Sequence, residues 1–370
     1  MNEKIGITTT EFGFGPVSKS LYIIEEINEK YPEIDVVFYG DGFSKEYIDS
    51  ANVKVEIRNK DGLQKDRDVK NIINVMDTDS LAAWECSSKN VYFVDSLAWM
   101  WDKPVDGIEK IKKYFVQDYL VKDGLVEELS SLTEVNVVAP ITRIVNANRA
   151  SCARLLLVNF SGVHNPFTKV EYFTKYCSVI AELILRYADG IYDEIVFSLN
   201  SEVSQNLEEV FNNSEFKSKV SFGFFGHDDF LNLLCRADRV ITNPGITTTL
   251  ELLSNDCAFA YLFGSNYSQC LMTHNYKVRN GLNNVFTLDE FGFDMDSLQG
   301  IPEESGVKAV SSFISNILDK IGYDFEEYIR QMLIMPREEL LRNNSKIPLK
   351  SNGIGQETIV SIVMKDMGVK

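Results

Sequence analysis

Between Phe225 and Leu252 the chain places glycine, hydroxyl and acidic residues in an order that suits a bound anion. Phe225-Gly226-His227-Asp228-Asp229 is followed by Ala237-Asp238, by Arg239-Val240-Ile241-Thr242, and by Asn243-Pro244-Gly245-Ile246-Thr247-Thr248-Thr249. A strand that ends in a glycine turn and opens a helix with three hydroxyl residues brings free N–H groups, hydroxyls and the positive end of a helix dipole to one point. Each dipole contact is worth roughly 0.3–1 kcal/mol, so several must act together to seat a diphosphate. Glu251 lies one turn into that helix, where a carboxylate is placed to accept from both hydroxyls of a ribose. The competing reading is a capping box formed by Thr248 and Glu251, which leaves the Asn-Pro-Gly before them unexplained.

A second glycine loop, Thr10-Glu11-Phe12-Gly13-Phe14-Gly15-Pro16-Val17-Ser18-Lys19, stands near the N-terminus. Glycines between a strand and a helix let a ligand approach the backbone, or simply make a turn that needs positive φ. Gly13-x-Gly15-x-x-Ser18 falls one residue short of the dinucleotide fingerprint, with Asp41 in the place of its ribose-binding acid. An NAD-dependent enzyme is therefore an outlying alternative. Gly264-Ser265-Asn266-Tyr267-Ser268-Gln269 offers amides and hydroxyls to a sugar, or is a polar loop with an N-cap. Asp95-Ser96-Leu97-Ala98-Trp99-Met100-Trp101 sets a strand-end acid beside two tryptophans, an aromatic wall for a planar heterocycle or a sugar face, or plain core packing. Gly162 and His164 follow another strand end; a lone histidine is more often a structural hydrogen-bond partner than a ligand-facing group.

These segments need a scaffold of alternating strands and helices. In the first half, strands are expected at Ile5–Thr9, Asp35–Tyr39, Val53–Ile57, Val91–Val94 and Val135–Val138, with a helix from Pro16 marked by Val17, Leu21, Ile24 and Ile27. In the second half, strands are expected at Leu155–Val158, Glu194–Leu199, Val220–Phe225, Arg239–Thr242 and Ala258–Phe263. Helices are expected near 169–187, 204–212, 228–236, 247–255, 267–279, 306–320, 324–333, 337–343 and 355–367. Near-continuous apolar strands separated by helices imply parallel sheets covered on both faces. The class is α/β: two doubly wound domains facing across a cleft, 1–150 and 151–345, with a linker at 140–153 and a terminal helix in 346–370.

Composition narrows the partners. The 370 residues carry 37 Lys+Arg against 54 Asp+Glu, a net charge of −17. A length of this order suits two domains. The shortage of cations argues against a nucleic acid polymer or an anionic membrane as partner. The first residues enter a strand without a charged and then greasy leader, and no apolar run approaches the roughly 20 residues of a membrane span, so a cytoplasmic protein is expected. Six scattered cysteines without a CxxC pair, and three histidines, argue against a zinc site.

In this order the motifs resemble a GT-B glycosyltransferase, with two Rossmann-like domains and a nucleotide-sugar between them. Phe225 to Leu252 is similar to the donor-binding segment of the peptidoglycan UDP-N-acetylglucosamine transferase and of UDP-glycosyltransferases. That resemblance implies uracil contacts at Phe225 and His227, diphosphate contacts at Gly245, Thr247 and Thr248, the ribose at Glu251 and the donor sugar at Gln269, with Gly162 nearby. It places the acceptor at Phe12, Gly13, Gly15, Lys19 and Trp99, and returns the terminal helix to the N-terminal domain. More loosely, Phe12-Gly13-Phe14-Gly15-Pro16 and Val94-Asp95-Ser96-Leu97 resemble the cytosylglucuronate synthase group, which implies a nucleobase acceptor and a glucuronate-type donor.

The family's glycine-loop histidine is missing here: Gly13 occupies its place. Glu11, Asp95 and then His164 are the candidate bases. The implied reaction is metal-independent, inverting transfer from a UDP-sugar to a small-molecule acceptor, with no other cofactor and with a homodimer as one open arrangement. Asp77-Thr78-Asp79 and Asp294-Met295-Asp296 read as caps or turns rather than as a metal clamp. Lys19, Arg154 and Arg279 are the cations that would meet a uronate carboxylate. A UDP-sugar epimerase or hydrolase of the same fold, and a non-catalytic nucleotide-sugar binder, are the competing classes.

Overall fold

A computed structural model describes residues 3–84, 89–101, 103–121, 124–145, 154–160, 167–349 and 353–369. The first strands and helices are β1 (Lys4–Thr9), α1 (Phe14–Lys30), β2 (Asp35–Tyr39), α2 (Gly42–Asp49), β3 (Glu56–Arg58) and α3 (Gly62–Lys65). Next come β4 (Asn71–Val75), α4 (Thr78–Ala82), β5 (Asn90–Asp95), β6 (Ile111–Gln117), α5 (Leu125–Ser130) and β7 (Glu134–Val138). The chain continues with β8 (Leu155–Asn159), α6 (Val170–Ala188), β9 (Glu194–Ser198), α7 (Ser201–Phe211), β10 (Lys219–Gly223), α8 (His227–Arg236), β11 (Arg239–Thr242) and α9 (Ile246–Ser254). It ends with β12 (Phe259–Tyr261), α10 (Tyr267–Asn280), α11 (Glu303–Ile317), α12 (Tyr323–Ile334), α13 (Arg337–Asn344) and α14 (Gly355–Met367).

These elements form two compact units, Met1–Arg143 with Pro348–Lys370, and Ile144–Ile347. The first holds a seven-stranded sheet in the order β3-β2-β1-β4-β5-β6-β7, the second a five-stranded sheet in the order β10-β9-β8-β11-β12. Every pairing between these strands is parallel, as the near-continuous apolar strands predict.

In the first unit, alternate residues of each strand serve two cores. Ile5, Ile7, Phe38, Ile73, Val75 and Val94 pack with Val17, Leu21 and Ile24 of α1 and with Ile359, Val360, Val363 and Met364 of α14. Val37, Ile72, Phe93 and Val116 face the other way, onto Leu63, Leu81, Leu125 and Leu129.

The structure differs from the sequence-based expectation in three strands. The third strand is short and lies at Glu56–Arg58 rather than Val53–Ile57, and β4 and β6 were not anticipated. Asparagine and lysine are poor strand formers, and here partners outside their own strands satisfy them. Asn74 bonds Asp77 in both directions, its Nδ2 to the carbonyl at 3.0 Å and its Oδ1 from the amide at 2.9 Å. Lys112 pairs with Asp366 at 2.6 Å and Lys113 with Glu134 at 2.6 Å. Both Asp-x-Asp segments act as caps: Asp77 accepts from the Ser80 N–H at 3.2 Å, and Asp294 from the Asp296 N–H at 3.1 Å. Among the described residues no helix is long and apolar enough to cross a membrane.

A charge network ties the starts of β1, β3 and β4 together. Arg58 bonds Glu56 at 2.8 Å, Asp66 at 2.6 Å and Asp68 at 3.1 Å, while Lys4 bonds Asp68 at 2.8 Å. Hydrogen bonds from Arg58 and then Lys4 hold Asp68 well below the usual carboxylate range. Burial alone would raise Asp66, but the Arg58 and Tyr39 hydrogen bonds leave it lowered, and Arg58 lowers Glu56. Carboxylates lowered on folding stabilise fully above their unfolded values and lose that contribution as pH falls. Replacing Arg58 by Met should therefore flatten the fall in melting temperature between about pH 5 and pH 2. Each partly exposed pair is worth roughly 0.2–1 kcal/mol, so the effect is modest. Parallel wild-type and variant curves of melting temperature against pH would contradict it.

Candidate functional site

In the second unit the chain runs from β8 to β9 on one side and later reaches β11 on the other. A crevice therefore opens beyond the C-terminal ends of β8 and β11, the usual ligand position in such a sheet. Asn159 ends β8, and its Nδ2 donates to Thr242 Oγ1 at the end of β11 over 3.0 Å. Asp238, at the opposite edge, accepts from the Leu155 N–H at 2.7 Å and ties the starts of the same two strands.

Beyond Thr242 the chain turns through Asn243, Pro244 and Gly245 into α9. Asn243 is buried and anchors the turn: its Oδ1 lies 3.2 Å from the Tyr176 hydroxyl, and its Nδ2 donates to Ser265 Oγ at 3.2 Å. Gly245 is the N-cap, without a side-chain capping bond, and the bond from Thr249 N–H to the Gly245 carbonyl, at 2.8 Å, closes the first turn. The opening N–H groups of α9 precede its internal ladder. Its first turn carries no acid, whereas α8 opens with Asp228 and Asp229. Of the two helix ends, α9 has no acid of its own at its positive pole and is the better seat for an anion.

Two corrections follow. Because the helix starts at Ile246, Thr248 lies inside it and is no N-cap, so the capping-box reading of Thr248 and Glu251 fails. Thr249 turns inward, its Oγ1 2.8 Å from the Tyr261 hydroxyl, which leaves the buried Thr247 and half-buried Thr248 as the hydroxyls of the first turn.

Two glycines mark the crevice. A Cβ built on Gly226 or Gly245 would meet no atom within 4 Å. Their backbones, at φ −57°, ψ 157° and φ −147°, ψ 136°, are open to any residue. Neither packing nor conformation requires glycine at either position, and both precede a helix N-terminus. Gly264 is the contrast: a Cβ there would lie 2.7 Å from the Cys270 nitrogen.

His227 opens α8 and brings its Nε2 to 3.9 Å from Glu251 Oε1, both side chains being nearly enclosed. Phe225 is half-buried just before them. Gln269 is buried, and its Oε1 accepts from the Ser265 N–H at 2.9 Å and hydroxyl at 3.0 Å, so its carbonyl end shapes the loop. Asn266 caps α10 by accepting from the Gln269 N–H at 3.1 Å. Gly162 and His164 lie outside the described residues.

In the first unit the corresponding crevice lies beyond β1 and β4. Gly13 caps α1 at φ 67°, ψ −179°, a conformation that glycine alone adopts without strain. Phe12 and Gly15 beside it are half-buried, and α1, like α9, has no acid in its first turn. Glu11 is half-buried and accepts from the Ser44 N–H at 3.3 Å and from the Ser44 hydroxyl.

The other expected acceptor-side residues lie deep in the first unit. Asp95 is fully buried and accepts from the Tyr114 hydroxyl at 2.6 Å and the Leu97 N–H at 2.7 Å; burial still pushes its carboxyl up. Trp99 and Lys19 are buried, at 5% and 2% exposure. The remaining cations stand at the wrong ends of their elements. Arg154 precedes β8, at the edge away from the crevice, over the Tyr192 ring at 5.3 Å. Arg279 closes α10, roughly 18 Å along the helix from its N-terminus.

Ser44 was not singled out by type and spacing, and Gly226 and Asn243 stood in the Phe225–Leu252 motif without a role of their own. Gly226 has the clearest sequence signal, since it stands directly before the histidine of the expected uracil segment.

No protein-family model matches the chain, and no curated protein matches it in sequence. Solved structures do match its fold. MnaA of S. aureus, solved with UDP, aligns over 100% of this chain and 98% of its own at 11% identity and a TM-score of 0.56. The UDP-GlcNAc 2-epimerase of Methanocaldococcus jannaschii, solved with UDP-GlcNAc and UDP, aligns over 98% and 99% at 13% identity and a TM-score of 0.52. The glycotransferase of kitacinnamycin aligns over 99% of both chains at 10% identity and a TM-score of 0.50. The chain has the two-Rossmann-unit fold of the GT-B class. Nothing in these likenesses supports the cytosylglucuronate synthase link.

Proposed function

We propose that the chain is a glycosyltransferase that takes its sugar from a UDP-sugar and passes it to a small-molecule acceptor. The observation that carries this reading is the opening of α9. There an anion-favouring helix end, two threonines and a glycine facing open space meet at the β8–β11 crevice. The diphosphate would lie on the Gly245–Thr248 turn, the ribose against Glu251 and the uracil against Phe225 and His227. Gln269, buried at the Gly264–Gln269 loop, is the proposed sugar contact.

Charge developing on the departing UDP would be met by the N–H groups and hydroxyls of α9, donors fixed in place before the reaction begins. Glu11 would take the acceptor's proton. The three histidines of the chain are His164, His227 and His274, all in the second unit, so a base supplied by the first unit is not an imidazole. A uronate donor is not carried forward, because Arg154 and Arg279, the candidate cations of the second unit, stand at the start of β8 and the end of α10, away from its crevice. UDP-sugar 2-epimerisation is the second reading, favoured by the likeness to an epimerase with UDP-GlcNAc and UDP bound.

A thermal-shift panel of UDP, UDP-glucose, UDP-glucuronate, UDP-N-acetylglucosamine, a TDP-sugar and NAD tests the site. UDP and at least one UDP-sugar should raise the melting temperature. In Gly245→Ala the shift should vanish while the unliganded melting temperature stays within a degree or so, since the added methyl meets only open space. A shift by NAD alone would sink the donor site. UDP release that needs an added acceptor marks the transferase; a new sugar epimer formed without one marks the epimerase.

A further inference from the structure

We propose that Ser44 is the positioning residue of Glu11, serving the carboxylate as donor before proton transfer and as acceptor after it. The proposal rests on the reading of Glu11 as the transferase's base.

Glu11 follows β1, and Ser44 is the third residue of α2, fully buried. The N-cap of α2, Asp41, makes no side-chain capping bond. The carboxylate at that helix end is instead Glu11, 33 residues earlier in the chain. Oε2 accepts from the Ser44 N–H at 3.3 Å, and Oε1 accepts from the Ser44 hydroxyl. The same hydroxyl lies 3.0 Å from the Asp41 carbonyl. Gly40 keeps the space open, since a Cβ there would come within 2.8 Å of Ser44 Oγ.

A serine hydroxyl has one hydrogen and two lone pairs. While Glu11 is ionised, that hydrogen points to Oε1. In the transfer, the acceptor's X–H bond breaks and its electron pair forms the bond to the anomeric carbon. The bond from that carbon to the diphosphate oxygen breaks, and UDP leaves with the pair. The proton comes to rest on Oε1. The new carboxyl O–H then turns to Ser44 Oγ, and the serine hydrogen swings to the Asp41 carbonyl. Oε1 and Oγ are paired in both states, and the Asp41 carbonyl accepts from the Lys45 N–H at 3.2 Å throughout, so no buried polar group loses its partner during the step.

UDP release from UDP-glucose and UDP-N-acetylglucosamine is measured with water alone and with an acceptor panel of sugars, phenols and nucleobases. Wild type, Glu11→Gln, Ser44→Ala and Ser44→Thr are compared. Ser44→Ala should lower kcat roughly 10–100-fold, within the range of general-base contributions, with KM for the UDP-sugar unchanged. Ser44→Thr, which keeps the hydroxyl, should recover most of it, and Glu11→Gln should fall at least as far as Ser44→Ala. Wild-type kcat in Ser44→Ala beside an inactive Glu11→Gln overturns the role of Ser44 alone. Full activity in Glu11→Gln, or no UDP release by the wild type from either donor, overturns the base and Ser44 with it. If Ser44→Ala fails to fold, Ser44→Cys takes its place with the same fall expected.

Discussion

A chain ending at residue 354 should be unable to hold its first unit together. α14 contributes Ile359, Val360, Val363 and Met364, each 0% exposed, to the cluster that also contains Ile5, Leu21 and Ile24. At about 1.5–3 kcal/mol per fully buried side chain, four of them amount to roughly 6–12 kcal/mol. That equals the whole stability of an ordinary domain, about 5–15 kcal/mol. Polar ties go with them. Gln356 Nε2 donates to the Thr142 carbonyl at 2.8 Å, and the Gly355 N–H to the Pro140 carbonyl at 3.0 Å. Asp366 accepts from the Tyr92 hydroxyl at 2.6 Å. Calorimetry of the truncated chain should show a large loss of unfolding enthalpy, and hydrogen exchange should show β1, β4 and β5 unprotected. Wild-type enthalpy and protection would refute the dependence.

Glu251→Ala carries the second large effect. UDP affinity should fall about 5- to 150-fold, the roughly 1–3 kcal/mol expected when ligand hydroxyls lose a charged partner. Glu251→Gln keeps the volume and one acceptor oxygen and should fall between the two. Titration calorimetry with UDP reads the change, and melting curves show whether the buried His227–Glu251 neighbourhood survives it. Unchanged affinity in a folded Glu251→Ala protein would remove the ribose from α9.

The second unit was the more legible in sequence. Its helices are set off by Gly, Pro and Asn, and its strands are continuous apolar runs, so α6–α13 fall within a few residues of expectation. The first unit hides two strands because Asn71, Asn74, Lys112 and Lys113 look wrong for a sheet until their partners are known. One of those partners, Asp366, sits 274 residues beyond Tyr92. The site shows the same divide. The α9 turn could be read from Gly245, Thr247 and Thr248, because a strand, a glycine and a helix start are local. The inward turn of Thr249 could not, since only the fold brings in Tyr261. Glu11 and Asp95 look alike in sequence, two acids at strand ends. Tyr114 holds one inside the core, and Ser44 holds the other at its margin.

The division of the chain bears on how the protein is made. Residues 1–143 leave the ribosome first, yet their core lacks four of its side chains until α14 is synthesised. The intervening unit, Ile144–Ile347, is continuous in sequence and has all its strands before that point. Domains fold as units during synthesis, at about 5–20 residues per second, so the first unit waits on the order of ten seconds or more with an unfilled apolar face. The half translated first is the last to be finished, and throughout that interval its exposed sheet is the surface that a chaperone would meet.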